Sequence, residues 1–258
     1  MIEINKVYNE DCLEGMKRIE DKSMDLIICD LPYGTTSCKW DIIIPLEPLW
    51  EQYKRIIKDN AAIVLTAQQP FTSALIMSNI NMYKYNWHWN KVKPSSFFNA
   101  KNSPMKKIED IVVFSKGNIA NGSRNLMNYN PQGLIECGKI RPAKNESVPN
   151  ESTIGKRPSR ANSYTQEFKN YPTDLIEFSF EYKPIHPTQK PVALFEYLIK
   201  TYTNENDLVL DNCMGSFTTA IAAINTGRNY IGFEKDEKYF NLGTERVAKH
   251  IDSLKRNP

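Results

Sequence analysis

The sequence predicts an α/β fold: a doubly wound, mostly parallel sheet with helices on its faces and one irregular insertion. Three observations carry this. Short apolar runs that suit buried strands (residues 24–29, 61–66, 208–211) alternate with stretches of helical period. These runs, and a further one over 229–233, lead into polar or acidic residues, Asp30, Gln68, Asp211 and Glu234, at the strand ends where an open α/β sheet binds its ligands. From 117 to 183 the periodicity stops, and glycine, asparagine, serine and proline take over.

Each element has a local reason. Residues 2–8 alternate and read as a strand. Asn9, Glu10 and Asp11 break it and can cap a helix over 12–19, with Leu13, Met16 and Ile19 inward. Residues 25–29 form a buried strand that ends in Asp30. Glu47 and Pro48 open a helix, proline being tolerated in a first turn, and Leu49, Tyr53, Ile56 and Ile57 follow at helical spacing. Residues 61–66 form a second buried strand, 71–77 a helix, and 83–90 and 110–115 two further strands. After the insertion, Leu194, Phe195, Leu198, Ile199 and Tyr202 line one side of a helix. Residues 208–211 are a strand and 212–219 a tight loop. A helix follows over 220–225, stopped by Gly227. The strand 229–233 ends in Glu234, and an amphipathic helix runs over 238–254.

The 258 residues suit one large domain, or one domain with a sizeable insertion, and the formal charge of +3 neither demands nor excludes a polyanionic partner. Its distribution says more. Between residues 139 and 171 seven basic residues (Lys139, Arg141, Lys144, Lys156, Arg157, Arg160 and Lys169) stand against three acids (Glu146, Glu151 and Glu167), interleaved with Tyr164, Phe168 and Tyr171. Such a segment can meet phosphates and stack on bases. No apolar run approaches the ~18 residues of a membrane span, and the N-terminus does not read as a signal peptide. The cysteines (12, 29, 38, 137, 213) and histidines (88, 186, 250) lack metal-site spacing. The expectation is a cytoplasmic protein with neither membrane nor metal as partner.

Two places carry chemistry. Asp30-Leu31-Pro32-Tyr33 sets a carboxylate, backbone carbonyls beside a rigid proline, and an aromatic face at a strand end. That set can accept hydrogen bonds from an exocyclic amine and stack its ring. Residues 208–234 run strand, small-residue turn, helix, strand, acid, which is a nucleoside-binding pattern. Glu234 lies about 20 residues past the turn, where an acid can hold two ribose hydroxyls. The ligand is a dinucleotide or S-adenosylmethionine; the absence of a full Gly-x-Gly-x-x-Gly fingerprint disfavours the dinucleotide.

At these residues the chain resembles the DNA amino-methyltransferases. Asp30-Leu31-Pro32-Tyr33 looks like their Asp-Pro-Pro-Tyr motif. His186-Pro187-Thr188-Gln189-Lys190-Pro191 matches a motif near their cofactor, and residues 211–219 are similar to their Asp-Pro-Phe-Met-Gly-Ser-Gly-Thr-Thr loop. Catalytic motif first, basic insertion next and cofactor loop last is the circularly permuted order of the beta class. The resemblance implies a Rossmann-like methyltransferase domain over 1–116 and 184–258, with a target-recognition insertion over 117–183. It implies S-adenosylmethionine as cofactor, double-stranded DNA as partner and a possible homodimer. Asp30, Leu31, Pro32 and Tyr33 are then expected to be catalytic. Glu234 would bind the ribose, and Asp11 and Cys12 would flank the adenine. Gly215, Ser216, Thr218 and Thr219 would line the methionine part, and Asp30, Asp211, Cys213 and Phe217 are further expected cofactor contacts. Thr188, Gln189 and Lys190 would close that side. Lys139, Arg141, Lys144, Lys156, Arg157 and Arg160 are the expected DNA contacts. Aspartate at the first motif position implies adenine N6 as the methylated atom; serine there more often goes with cytosine N4.

Two residues depart from the pattern. Leu31 replaces a proline but keeps the carbonyl. Phe217 stands where the family has the second glycine of the loop, a position that favours positive φ and close backbone approach. Its ring is expected either to turn into the core or to enter the methionine pocket. The second case implies a DNA-binding protein with an impaired cofactor site.

Overall fold

A computed structural model describes residues 2–35, 38, 41–142, 163–181, 185–186 and 188–256. It divides into two compact units, Met1–Asn130 with Asp174–Pro258, and Pro131–Thr173. The second unit is narrower than the insertion expected over 117–183. The flanking residues belong to the first unit: Asn128 donates its N–H to the Asn60 carbonyl, and Asn130 to that of Thr201.

In chain order the first unit contains β1 (Lys6–Tyr8), α1 (Cys12–Met16), β2 (Met24–Asp30), α2 (Leu46–Ile56), β3 (Ile57–Ala67), α3 (Phe71–Ser78), β4 (Tyr83–Ser95) and β5 (Lys106–Ser115). The second unit holds β6 (Ile135–Arg141) and β7 (Tyr164–Lys169), paired antiparallel. The first unit then resumes with β8 (Leu175–Glu177), α4 (Val192–Tyr202), β9 (Leu208–Asp211), α5 (Thr218–Asn225), β10 (Asn229–Phe233) and α6 (Glu237–Arg256).

The eight-stranded sheet has the order β1-β10-β9-β2-β3-β5-β4-β8. Every pairing in it is parallel except those of β5, which runs antiparallel to both β3 and β4. From β2 the chain winds outward through β3, and from β9 it winds the other way through β10. The order therefore reverses between β2 and β9, which pair at Leu26–Val209 and Ile27–Leu210. A crevice opens at the carboxyl ends of strands on either side of such a reversal. Asp30 and Asp211 stand at those two ends.

The pleat of the central strands explains why they read as unbroken apolar runs. Ile27, Cys29, Ile63 and Leu65 face a core closed by α1, α2 and α3. Leu26, Ile28, Ala62 and Val64 face a second core closed by α4, α5 and Val247 of α6. A sheet covered on both faces buries both sets, so period-2 alternation disappears.

Several expected boundaries move. The first strand starts at Lys6, because Asn5 has a φ of +58° and its N–H already bonds to the Tyr230 carbonyl. The first helix ends at Met16, although Ile19 is still buried. Ile57, read as the end of a helix, is extended and begins β3. The insertion is not wholly irregular: it contains β6 and β7, and β8 joins the main sheet beside β4.

Candidate functional site

One cavity of about 740 Å³ opens over the carboxyl ends of β2, β9 and β10. Asp30 is its most heavily bonded acceptor. The Lys190 ammonium donates to both carboxylate oxygens, at 2.8 and 2.7 Å. Thr66 at the end of β3, in register with Asp30, donates its hydroxyl to Oδ1. The Tyr33 hydroxyl lies 2.8 Å from both Asp30 Oδ1 and Thr66 Oγ1, with one proton to give. Burial, then the charges of Asp30 and Glu109, hold that phenol well above its ordinary pKa, so it remains a donor. One face of the Tyr33 ring stacks on Phe71, at 5.4 Å between centroids.

Lys190 joins Asp30 to a second ion pair. Its nitrogen is 3.6 Å from Glu109 Oε2, and Lys91 lies 3.1 Å from Glu109 Oε1. Both lysines are almost wholly buried. Burial alone would lower the Lys190 pKa, but Asp30 and Glu109 together overcome it and hold the group above its ordinary value. Two ammonium groups thus balance two carboxylates on the cavity floor. Glu109 Oε2 is buried and makes no hydrogen bond among the described residues.

The nucleoside-type turn forms the other end of the cavity. Asp211 is 3% exposed and holds the loop from beneath: it accepts the Cys213 N–H at 2.9 Å and the Thr219 hydroxyl. Burial pushes its pKa up to about 6. Glu234, at the end of β10, accepts the Gly215 N–H at 2.7 Å and the Asp236 N–H at 2.8 Å, and burial raises its carboxyl above the usual range. Gly215 has a φ of +49°, and a Cβ there would meet only the Cys213 carbonyl at 3.9 Å. Bare backbone therefore borders the cavity. Asp11 caps α1 through the Leu13 N–H and leaves Cys12 on the cavity wall.

Phe217 is the exception among the expected site residues. It adopts the left-handed conformation, φ +61° and ψ +30°, as the glycine it replaces would. Its ring turns away from the cavity into the core between α5 and α6, edge-on to Phe240 at 6.1 Å. Gly243 of α6 makes the room: a Cβ there would lie 2.2 Å from Phe217 Cδ1. The expectation of a cofactor-lining Phe217 is thus corrected. The backbone accepts the strained φ, and burial of the phenyl ring offsets it. The other expected catalytic and cofactor residues, Leu31, Pro32, Thr188, Gln189, Ser216 and Thr218 among them, line the one cavity.

Residues 24–245 match the family model described as DNA methylase, of N6/N4 type. The chain belongs to the DNA methylase family. Members of this family transfer methyl groups from S-adenosylmethionine to DNA bases. This methylase is 28% identical to the type II methyltransferase M1.MboII of Moraxella bovis, over 93% of its own length and 95% of that protein. It is also 28% identical to the DNA adenine methyltransferase YhdJ of Escherichia coli K12, over 97% and 86% of the two chains. Among solved structures, its fold is similar to the M1.HpyAVI–SAM complex (TM-score 0.60, 24% identity, 93% and 98% of the chains covered). It is likewise similar to the cytosine-N4-specific PvuII DNA methyltransferase (TM-score 0.64, 16% identity, 97% and 91% covered).

The methylase's own residues fit the cofactor. A carboxylate at Glu234 suits ribose hydroxyls, the open Gly215 backbone suits close approach, and the Phe217 ring leaves the cavity clear.

Sequence reasoning missed Thr66, Lys91, Glu109, Glu181 and Arg246. Glu181 accepts the Val192 N–H at 2.7 Å and the Gln189 amide, fixing the entry to α4. Arg246 of α6 donates to Glu181 at 3.0 Å and to the Ser216 carbonyl at 2.8 Å, tying that entry to the 212–219 loop. Thr66 carried a usable signal, since it ends a buried run next to the one that ends in Asp30. The others lie far apart in sequence and signal nothing singly. Of the expected DNA contacts, Lys139 and Arg141 are exposed on β6. Lys144, Lys156, Arg157 and Arg160 lie outside the described residues. Among the described residues no helix is long and apolar enough to cross a membrane.

Proposed function

We propose that this methylase transfers the methyl group of S-adenosylmethionine to the N6 amine of an adenine flipped out of double-stranded DNA. The observation that carries the reading is the Asp30 carboxylate, held by Lys190, Thr66 and Tyr33 in the same cavity as the Glu234 and Gly215 end. When bound, the cofactor supplies an electrophilic sulfonium methyl. Glu234 would hold its ribose, Asp11 and Cys12 would flank its adenine, and Gly215, Ser216 and Thr218 would line its methionine part.

The chain's work is positioning. An aromatic amine is a weak nucleophile because its lone pair is delocalised into the ring. Asp30 and the Leu31 carbonyl are the acceptors for its two N–H groups, and two such bonds favour a more tetrahedral nitrogen with a directed lone pair. The ring of Tyr33, fixed by Phe71 and by its own hydroxyl, offers the stacking face. Lys190 keeps the acceptor carboxylate paired with a cation, and Thr66 fixes its plane. A base inside a duplex cannot reach a carboxylate at the cavity floor, so it must leave the stack. Aspartate at the first motif position supports adenine over cytosine.

The test is labelled methyl transfer to unmethylated DNA followed by nucleoside analysis. N6-methyladenine is the expected product, lost in Asp30→Ala with cofactor binding retained. N4-methylcytosine would overturn the choice of base. Transfer by Asp30→Ala would overturn the role of the carboxylate.

A further inference from the structure

The tip of the β4–β5 hairpin carries two phenyl rings that the fold leaves in water. Ser95 and Lys106 form its last rung. Beyond it Ser96 takes a φ of +68° and Phe97–Asn99 form a single 3-10 turn. The turn is well bonded: Ala100 donates to the Phe97 carbonyl at 3.0 Å, and Asn102 and Ser103 donate to that of Asn99 at 2.8 and 2.9 Å. Nevertheless Phe97 is 78% exposed and Phe98 101%. One exposed apolar residue needs no explanation, but two adjacent phenylalanines fully presented by an ordered turn do.

Position and charge say what they meet. Ser95, Ser96 and Lys106 line the cavity that holds Asp30, so the turn rises from its rim. Between Lys91 and Lys107 the chain has five lysines and no acid. Of these, Lys93, Lys101, Lys106 and Lys107 are exposed. An apolar tip ringed by cations fits a polyanion with an apolar interior, which describes duplex DNA. A base that leaves the stack for a nearby pocket leaves a gap, and apolar side chains enter such gaps while cations take the flanking phosphates.

We propose that Phe97 and Phe98 form a wedge that enters the DNA duplex as the target base leaves it, with Lys93, Lys101 and Lys107 on adjacent phosphates. The wedge rests on the reading of Asp30 as the acceptor of a flipped base. It assigns a DNA contact to the catalytic unit itself, apart from the basic residues of the second unit.

The test compares the parent, Phe97→Ala/Phe98→Ala and Phe97→Trp/Phe98→Trp. Closed circular unmethylated plasmid is relaxed by a topoisomerase with each protein bound, and its linking number is read, because a side chain inserted between bases unwinds the helix. Methyl transfer to the same plasmid, cofactor affinity and sedimentation are measured alongside. The parent should lower the linking number. The alanine pair should leave it unchanged and lose about tenfold or more in kcat/KM, the scale of one base–aromatic stack, with cofactor affinity intact. The tryptophan pair should restore both. An alanine pair that unwinds DNA and transfers methyl like the parent overturns the wedge. A loss that coincides with a change from dimer to monomer also overturns it, assigning the rings to a second copy. A parent that unwinds DNA without transferring methyl keeps the wedge and removes the catalytic reading.

Discussion

Phe217 gives the sharpest test of how the 212–219 loop is built. If the ring filled the methionine pocket, Phe217→Gly would open the pocket and strengthen cofactor binding. The structure requires a loss of stability with no change in cofactor affinity. The ring is buried in the core against Gly243 and Phe240. Truncating a buried phenylalanine costs about 3–5 kcal/mol. Glycine recovers roughly 1–2 kcal/mol by relieving a side chain held at φ +61°. The net loss is therefore about 1–4 kcal/mol, a fall of roughly 2–16 °C in Tm for a chain of this size. Cofactor affinity should stay the same, because the ring is not on the cavity wall. Gly243→Ala supplies the partner of a double-mutant cycle. Alone, its methyl overlaps the ring, and overpacking of this kind costs about 1–3 kcal/mol. With the ring gone, the same methyl has room and adds up to about 1 kcal/mol of helix propensity. The two changes should thus be strongly coupled, with the double variant more stable than Phe217→Gly alone. Thermal unfolding and calorimetric titration with S-adenosylmethionine measure both quantities. Tighter cofactor binding by Phe217→Gly at unchanged Tm would refute the placement of the ring, and strict additivity would refute the contact with Gly243.

The remaining predictions concern the charges around the site. Glu109→Gln leaves the buried Lys91 without its carboxylate and should destabilise the fold by about 3–5 kcal/mol in urea, with Lys91→Met in the same chain restoring most of it. Asp211 has a folded pKa of about 6, above its ordinary 3.8. Its contribution to stability is thus full below pH 4 and is lost as pH rises through 6, by ~3 kcal/mol. Asp211→Asn should flatten the stability profile across that interval, and an unchanged slope would contradict the assignment. Arg246→Ala removes the tie between Glu181 and the Ser216 carbonyl. It should raise the KM for S-adenosylmethionine about tenfold, the scale of one charge-assisted hydrogen bond, with kcat held; a fall in kcat alone would place its effect elsewhere.

The sequence by itself determined the parts of this protein whose information is local. Buried strands announce themselves as apolar runs, helices by their period, and strand ends by the acids that follow them. Asp30, Asp211 and Glu234 were therefore legible as strand-end residues, and the order of the motifs marked one family. The basic insertion was legible as a composition, but its hairpin was not, because β6 and β7 are exposed and carry no clear alternation. Only the tertiary structure decided what depends on distance through space. It brought Lys190, 160 residues away in sequence, onto both oxygens of Asp30. It set Lys91 and Glu109 beneath them, since β4 and β5 pair as neighbours. It also settled where Phe217 points, because that depended on a glycine in another helix. A glycine has no side chain with which to signal, in the sequence, the space that it leaves for a ring.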